Sequence, residues 1–468
     1  MRRHSRRTVI VISTILMIVT GRTSSAQVLT SKPGTGAFLL LSDLHFDPFG
    51  DPAIMKTLAG PNVGTGCFSP SLDQFSSYGR DSNTLLLRSA LTIAADTAAK
   101  NHLQLEYIVI TGDFLAHDFD AHYRQCVGGD KSAYTKFASD TLLLVSHWIT
   151  DSFPNTPVFA ALGNNDTDQG DYAQPSSDFL KAVGVYWSSN WRTASTEEAR
   201  SAAATFEKAG NYLILHPTVA SRDVVVLNSN LWSSADSNAC SGPSPDPGGQ
   251  LAWLHEVLAR AKSTRRTATL VMHVPPGIDV NSTLSHAQPE PLWADGCTDK
   301  FLAAIHEYPG VVREIYAGHI HRDDFRLLQD STGKVGGWIH ILPSVSPVYG
   351  NNPAVEIGWY DKKTGDLTDF AALALNLKKP QPGWALEYTF GAAYDCPRVS
   401  LAGIEKLSSR LRAGNPSAHP GHQYADYYAA RAEASPAAED WPTYSCAQRE
   451  ITIAAFTKCV GSSTQNKK

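Results

Sequence analysis

The stretch VREIYAGHIH, residues 312–321, contains the pattern that decides the fold. Its strand-like run at 312–316 predicts a strand, and Gly318, His319 and His321 follow almost at once. Side chains in that position lie at the carboxyl end of the strand, where ligands bind in open α/β sheets. A chain that repeats this arrangement would bring several such side chains to one crevice.

The arrangement recurs after four other strand-like runs, at 37–42, 107–111, 158–162 and 269–272. The polar residues that follow these runs are Asp43 and His45, then Gly112 and Asp113, then Gly163, Asn164, Asn165 and Asp166, and finally His273. A single histidine or aspartate at a strand end is usually a cap or a surface group. Five clusters in this order favour one shared site.

The remaining patterns predict the fold class. Helical periodicity occurs at 83–100, 134–150 and 250–261, and further strand-like runs lie at 212–215, 224–227, 325–328, 338–342 and 355–360. Strands alternating with helices and followed by a block of strands predict an α/β fold, with two sheets packed face to face and helices on both sides. Helical stretches at 400–413 and 424–434 follow a change in composition. We predict a catalytic domain over 27–377 and a helical C-terminal subdomain over 378–468.

The first 26 residues resemble an export signal. Basic residues precede an apolar run at 9–19, and small residues end the segment at Ala26, which is the order of a secretory signal peptide. This predicts a secreted or periplasmic protein. The run is shorter than the roughly 20 residues that span a bilayer, so no transmembrane segment is expected in the mature chain. The alternative is that the segment is retained as a membrane anchor. If it is a signal peptide, the sequence is compatible with export by either the general secretory route or the twin-arginine route.

Charge and cysteine content narrow the function classes. The net charge of -5 provides no sequence-wide basic field, so a nucleic-acid polymer is not expected as a partner. Seven cysteines in an exported chain predict disulfides, with one thiol left unpaired.

The strand-end residues are suited to binding metal ions. Aspartate, asparagine and histidine without thiolate suit zinc, manganese or iron(II), and the set is large enough for two divalent ions. Asp43, His45 and His321 would hold one ion and Asn164, His273 and His319 the other, with Asp113 bridging. Such a pair activates a bridging hydroxide as the nucleophile in phosphoryl transfer. The glycines at 112, 163 and 318 would let the backbone turn sharply beside the ions.

The five clusters resemble the blocks of calcineurin-like metallophosphoesterases. Finer features are similar to the acid sphingomyelinase and acid-sphingomyelinase-like phosphodiesterase branch: His117 four residues beyond Asp113, the segment at 228–231, HVPPG at 273–277, and a C-terminal Cys446 with Cys459 after it. The resemblance implies a four-layer metallophosphoesterase sandwich, a dimetal centre that is usually zinc, and a small helical C-terminal subdomain. It also implies disulfides between Cys240 and Cys297 and between Cys446 and Cys459, and it leaves Cys67, Cys126 and Cys396 unassigned.

One position departs from that family pattern. The third block usually contains a histidine that protonates the leaving group, and this chain has Asn165 there. An amide has no proton to release near neutral pH, and loss of a general acid costs about 10²- to 10⁴-fold in rate. His117 is the natural substitute, because imidazole titrates near neutral pH. The alternative is that His117 is an idle surface histidine.

The expected substrate is a phosphodiester of the sphingomyelin or phosphocholine type or of the nucleotide type. No saposin-like domain fits before the first strand, which favours a soluble substrate. A lipid substrate would need an exposed apolar rim, for which the candidates are Trp384, Tyr388, Tyr427, Tyr428 and Trp441; the competing interpretation is that these aromatic residues belong to the core. The third block also resembles fungal endopolyphosphatases, so polyphosphate is an alternative. A third possibility is a catalytically weakened protein that only binds phosphate ligands.

Overall fold

The computed structural model describes residues 29–60, 73–191, 195–414, 417–432 and 434–465. In this part of the chain, two six-stranded sheets pack together and helices flank them. This confirms the predicted four-layer α/β sandwich. The strands are β1 (Thr35–Leu41), β2 (Leu105–Ile110), β3 (Val158–Ala160), β4 (Tyr212–Leu215), β5 (Arg222–Val226), β6 (Thr267–Val271), β7 (Val312–Ala317), β8 (Asp324–Gln329), β9 (Val335–Ile341), β10 (Ala354–Asp361), β11 (Leu367–Leu375) and β12 (Trp384–Thr389).

Several helices begin at a residue whose side chain caps them. Asn83 accepts a hydrogen bond from the Leu86 amide at the start of the second helix, and Asp130 accepts one from Ala133 at the start of the fourth, as N-cap residues do. The helices are α1 (Pro52–Ala59), α2 (Thr84–Lys100), α3 (Phe119–Cys126), α4 (Lys131–Ser152), α5 (Ser177–Ser189), α6 (Thr196–Ala209), α7 (Gln250–Ser263), α8 (Val280–His286), α9 (Asp295–Glu307), α10 (Phe390–Ala393), α11 (Leu401–Ala413), α12 (Gly421–Tyr428), α13 (Trp441–Ala447) and α14 (Ile453–Gln465).

The topology places the strands that carry the polar clusters side by side. The first sheet has the order β12-β11-β10-β1-β2-β3, and the second has the order β4-β5-β6-β7-β9-β8. Strands β1, β2 and β3 run parallel to one another, as do β5, β6 and β7. Each sheet therefore directs the carboxyl ends of adjacent strands to one edge, where sites form in α/β proteins.

The C-terminal part differs in detail from the helical pattern. Strand β12 lies within the range expected to be helical and pairs with β11. Its sequence WALEYT contains Trp, Tyr and Thr, which favour strands, so the prediction from the overall composition of the C-terminal part was wrong at this segment. Helix α12 ends at Tyr428, short of the predicted 434. The reason is local: Ala430 and Arg431 have φ of 51° and 60°, and the Ala430 carbonyl accepts a hydrogen bond from Asn352.

Two disulfides match the pairs implied by the resemblance, Cys240–Cys297 and Cys446–Cys459. The second closes because α13 ends at Ala447 and α14 begins at Ile453, which leaves a turn between them. Cys126 is also disulfide-bonded, and Cys396 is a free thiol. Cys67 and the predicted signal peptide at 1–26 lie outside the described residues. None of the described helices is both long enough and apolar enough to cross a membrane.

The packing of β1 against β10 gives a first prediction. Gly358 faces the buried Phe38 across the strand pair, and a Cβ at 358 would lie 2.5 Å from the Phe38 ring. We expect Gly358→Ala to lower the free energy of unfolding by about 1–3 kcal/mol, because overpacking displaces a fixed ring. Denaturant unfolding measures this. Gly383→Ala is the control, since its Cβ would meet no atom within 4 Å; equal losses in the two variants would contradict the packing argument.

Candidate metal centre

The structure brings all seven predicted ligands to one buried site at the carboxyl ends of the strands. The loops after β1 and β2 are joined by backbone hydrogen bonds, from Asp43 N to Gly112 O at 3.1 Å and from His45 N to Asp113 O at 2.8 Å. The Gly318 amide donates to the His273 carbonyl at 2.9 Å, which joins the loops after β6 and β7. Local backbone pairing thus holds the clusters together.

Asp113 lies at the middle of the site. Its Oδ2 atom is 3.3 Å from His45 Nε2 and 3.1 Å from His273 Nε2. His45 follows β1 of the first sheet, whereas His273 follows β6 of the second. One carboxylate oxygen is therefore shared between the two halves of the site, as a bridging ligand requires.

The other ligands fall into the two predicted groups. In the first group, His45 Nε2 is 3.0 Å from His321 Nε2, and His321 Nε2 is 3.4 Å from Asp43 Oδ1. In the second group, Asn164 Oδ1 is 2.9 Å from both His273 Nε2 and His319 Nδ1. The residues could hold metal ions in two sets that share Asp113.

Backbone carbonyls fix the tautomers of two histidines. His45 Nδ1 lies 3.0 Å from Leu115 O, and His273 Nδ1 lies 2.8 Å from Thr111 O. A carbonyl oxygen only accepts, so each Nδ1 carries a proton, and Nε2 is the ring atom that would bind a cation. This is the arrangement that orients metal-binding histidines.

The ligand loops adopt uncommon backbone conformations. Five candidate ligands have positive φ, with values from 39° to 74°: Asp43, His45, Asp113, His319 and His321. Such conformations cost of order 1–3 kcal/mol each and cluster at functional sites. The surrounding backbone pairing therefore holds these side chains in place at the expense of stability.

The glycines act in two different ways. Gly112 turns with φ of 103°, as predicted, but Gly163 and Gly318 do not have positive φ. These two are needed for close approach: a Cβ at 163 would lie 2.0 Å from Asp113 Oδ1, and one at 318 would lie 2.1 Å from Ser42 Oγ. The expectation of sharp turns is therefore correct for Gly112 only.

Burial and charge shift the pKa values of the cluster in opposite directions. Burial opposes the charged form of each group, but His273 and His45 hold the pKa of Asp113 well below its usual range. Burial likewise opposes charge on His45 and His273, yet Asp113 raises the pKa of His45 to about 10 and that of His273 to about 9. Protons thus occupy positions that cations would take, and binding of cations would displace them.

Asn165 and His117 flank the ligands. The Asn165 backbone amide donates to Asp113 Oδ1 at 2.9 Å, and its Nδ2 donates to Asp113 Oδ2 at 3.0 Å. The His117 ring stacks on His45 with the ring centroids 4.1 Å apart. Both residues named from the sequence therefore lie beside the candidate metal ligands.

Sequence reasoning missed two residues that contact His117. Asp81 accepts from the His117 amide at 2.8 Å and lies 3.0 Å from its Nδ1, and the Tyr349 hydroxyl lies 3.2 Å from Nε2. Neither residue follows a strand that carries one of the clusters, so no strand-end pattern indicated them. Asp171, which accepts a hydrogen bond from Asn164 Nδ2 at 2.7 Å, was missed for the same reason.

A shared carboxylate with two sets of oxygen and imidazole donors, at the strand ends of a two-sheet sandwich, is typical of metal-dependent hydrolases. The family model of the calcineurin-like phosphoesterases matches residues 36–323, and the chain belongs to that family. Its members use a dinuclear metal centre, and the donors of this site fit one.

Several curated proteins are similar over most of the chain. Acid sphingomyelinase-like phosphodiesterase 3b from Homo sapiens is 27% identical over 442 residues, which cover 91% of this chain and 90% of that protein. Cyclic GMP-AMP phosphodiesterase SMPDL3A from Homo sapiens is 26% identical over 393 residues, covering 80% and 79%. Sphingomyelinase phosphodiesterase D from Dictyostelium discoideum is 25% identical over 352 residues, covering 73% and 72%.

The raised histidine pKa values predict how the metal-free protein responds to pH. A group whose pKa is higher in the folded state stabilises the fold below its unfolded pKa and loses that contribution as pH rises through the folded value. For His45 this window runs from 6.5 to about 10. We expect the chelated protein to lose about 1.4 kcal/mol per pH unit for each such group, measured by unfolding at several pH values. Metal-loaded protein is the control and should lack the slope; an equal slope in both forms would contradict this account.

Proposed function

We propose that the protein hydrolyses soluble phosphodiesters at a pair of divalent cations. The observation that carries this proposal is the position of Asp113 Oδ2 between His45 and His273. Asp43, His45 and His321 would hold one cation and Asn164, His273 and His319 the other, with Asp113 shared. Zn²⁺ fits these donors, as do Mn²⁺ and Fe²⁺. When bound, such a pair polarises the phosphate and supplies a nucleophile from water.

His117 is the proposed general acid. Burial raises the pKa of Asp81, but its hydrogen bond to His117 lowers that pKa to about 2, so the carboxylate is ionised near neutral pH. It fixes the proton on Nδ1, and the Nε2 atom then faces the hydroxyl of Tyr349, a residue that is exposed. An imidazole with an ionised partner and its second nitrogen towards solvent is arranged to give a proton to a leaving group.

Asn165 has a different role in the proposal. Its side-chain amide donates to the shared oxygen of Asp113, so it orients the bridging carboxylate and can donate to a phosphoryl oxygen. It has no proton to release. In this proposal the proton comes from His117, which lies against His45.

The surface favours a soluble substrate over a membrane lipid. Within the described residues, the large apolar side chains that are exposed are Leu85, Val185 and Tyr349. Of the aromatic residues considered for a lipid-facing rim, Tyr388, Tyr428 and Trp441 are buried, which supports the core interpretation for these three. A nucleotide-type diester, as the name of the cyclic GMP-AMP phosphodiesterase indicates for that relative, is our preferred substrate class. A soluble phosphocholine compound is the second candidate.

Two other functions have weaker support. Polyphosphate would need free cationic groups, but Arg322 donates to the His321 and Tyr349 carbonyls and Arg326 pairs with Asp324. A protein that only binds phosphate ligands would not need a proton donor, whereas His117 is held by an ionised carboxylate. We also propose that the protein is exported to an oxidising compartment, which the disulfides support.

A substrate panel tests the proposed class. Protein loaded with Zn²⁺ or Mn²⁺ is assayed with bis-nitrophenyl phosphate, a cyclic dinucleotide, phosphocholine esters, sphingomyelin vesicles and polyphosphate. We expect hydrolysis of bis-nitrophenyl phosphate and of a soluble natural diester, and little activity on vesicles. Asp113→Asn is the control and should lose activity on every substrate. Phosphate release from polyphosphate alone would favour the alternative function, and binding without turnover would favour the weakened protein.

The proposed acid predicts a dependence on the leaving group. We expect His117→Ala to lower kcat by about 10²- to 10⁴-fold for a diester with an alkyl or ribose leaving group, and much less for nitrophenyl esters, which leave without a proton. Steady-state kinetics with both substrate types measure the difference.

Two variants control for indirect effects on the acid. His286→Ala removes an exposed histidine that pairs with Glu290 and should change neither rate. Asn165→His in the His117→Ala background should restore part of the rate with the poor leaving group, since it returns an imidazole to the site. An unchanged rate in His117→Ala with the poor leaving group would exclude His117 as the acid.

A further inference from the structure

A second group of ionisable side chains lies between the two sheets. It consists of His340 on β9, Glu356 on β10 and Asp323, the residue directly before β8. Each offers one possible ligand atom, and the three atoms lie within 4.8 Å of one another. None of the three belongs to the candidate catalytic set described above. The group thus joins a strand of each sheet at a point inside the core.

Two members of this group, His340 and Glu356, have buried polar atoms without hydrogen-bond partners. Within the described residues, neither ring nitrogen of His340 and neither carboxylate oxygen of Glu356 is hydrogen-bonded. The two side chains are nevertheless close, with His340 Nε2 3.3 Å from Glu356 Oε2. His340 is 2% exposed and Glu356 is 0% exposed. Buried polar groups without partners are rare and costly, and a bound ion is one explanation for them.

Burial sets the charge state of the group. It lowers the pKa of His340 to about 4, so the imidazole is neutral and offers a lone pair, and it raises the pKa of Glu356 well above its usual range. Glu356 therefore carries a proton in the absence of a cation, and a bound cation would displace that proton. The neighbouring Asp324 already pairs with Arg326.

A small cavity adjoins two members of the group. It has a volume of about 20 Å³ and is lined by Asp323 and His340 together with Trp338, Phe370 and Tyr388, which is enough for one water-sized species beside these residues. The Tyr388 hydroxyl donates to Asp323 Oδ2. That hydrogen bond orients the carboxylate, as outer-shell partners do for metal ligands.

We propose that Asp323, His340 and Glu356 bind a third divalent cation, separate from the catalytic pair. Carboxylates combined with an imidazole favour a first-row ion such as Zn²⁺ or Mn²⁺ over Mg²⁺ or Ca²⁺. The ion would tie β9 of one sheet to β10 of the other. It would also fix Asp323, which lies two residues after the candidate ligand His321, and so support the position of that ligand loop.

Metal counting on the purified full chain tests the proposal. After loading with Zn²⁺ and removal of excess metal, we expect about three ions per chain by elemental analysis, and about two in Glu356→Gln and in His340→Gln. Asp113→Asn should show the opposite pattern, with loss of catalytic ions and retention of the third. His216→Gln is the matched control, since His216 is another buried imidazole and should leave the count at the wild-type value.

The same metal counts can overturn the proposal. Equal counts in wild type and Glu356→Gln would show that protons, not a metal ion, neutralise the group. If either variant fails to fold, anomalous diffraction of Zn²⁺-loaded wild-type crystals decides: a peak between His340 and Glu356 supports the site, and its absence with peaks at Asp113 excludes it. Inactive protein that still holds the third ion would separate this proposal from the proposed function.

Discussion

The structure depends on one shared carboxylate oxygen. Asp113 Oδ2 contacts His45, which follows the first sheet's β1, and His273, which follows the second sheet's β6. A carboxylate that is 1% exposed is stable only when positive partners offset its desolvation. These partners, His45 and His273, follow strands of different sheets. The site can therefore form only when the two sheets pack together.

Asp166 keeps this carboxylate in place without touching a candidate metal site directly. Its Oδ1 accepts from the amides of Phe114 and Leu115 at 2.7 and 3.0 Å, and its Oδ2 accepts from Gly163 at 2.8 Å. One side chain thus joins the loop after β2 to the loop after β3. The positive φ values of the ligand residues can persist because such bonds determine the loop conformation from several directions.

The sequence predicted the sheet strands that carry the clusters, because apolar runs followed by polar residues mark strand ends. The seven residues that it proposed as ligands lie together in the structure, and their binding of metal ions stays a prediction. It did not indicate Asp81 or Tyr349, whose contacts with His117 join segments 36 and 232 residues apart. Strand β11 was missed because alanine and leucine form a strand there through pairing with β10, not through intrinsic preference. Contacts that depend on the tertiary structure leave no local pattern in the sequence.

The exchange of histidine for Asn165 bears on the proposed acid. The Asn165 amide donates to Asp113 and has no proton to release, whereas His117 lies against His45, with its ring centroid 5.9 Å from that of His321. With His117 as the proposed acid, the leaving group would depart beside His45, His321 and Tyr349. The nucleophile would then attack from the side opposite the departing group, because attacking and leaving oxygens lie roughly in line in phosphoryl transfer. In this proposal, the orientation of the substrate follows from the position of His117 beside His45 and His321.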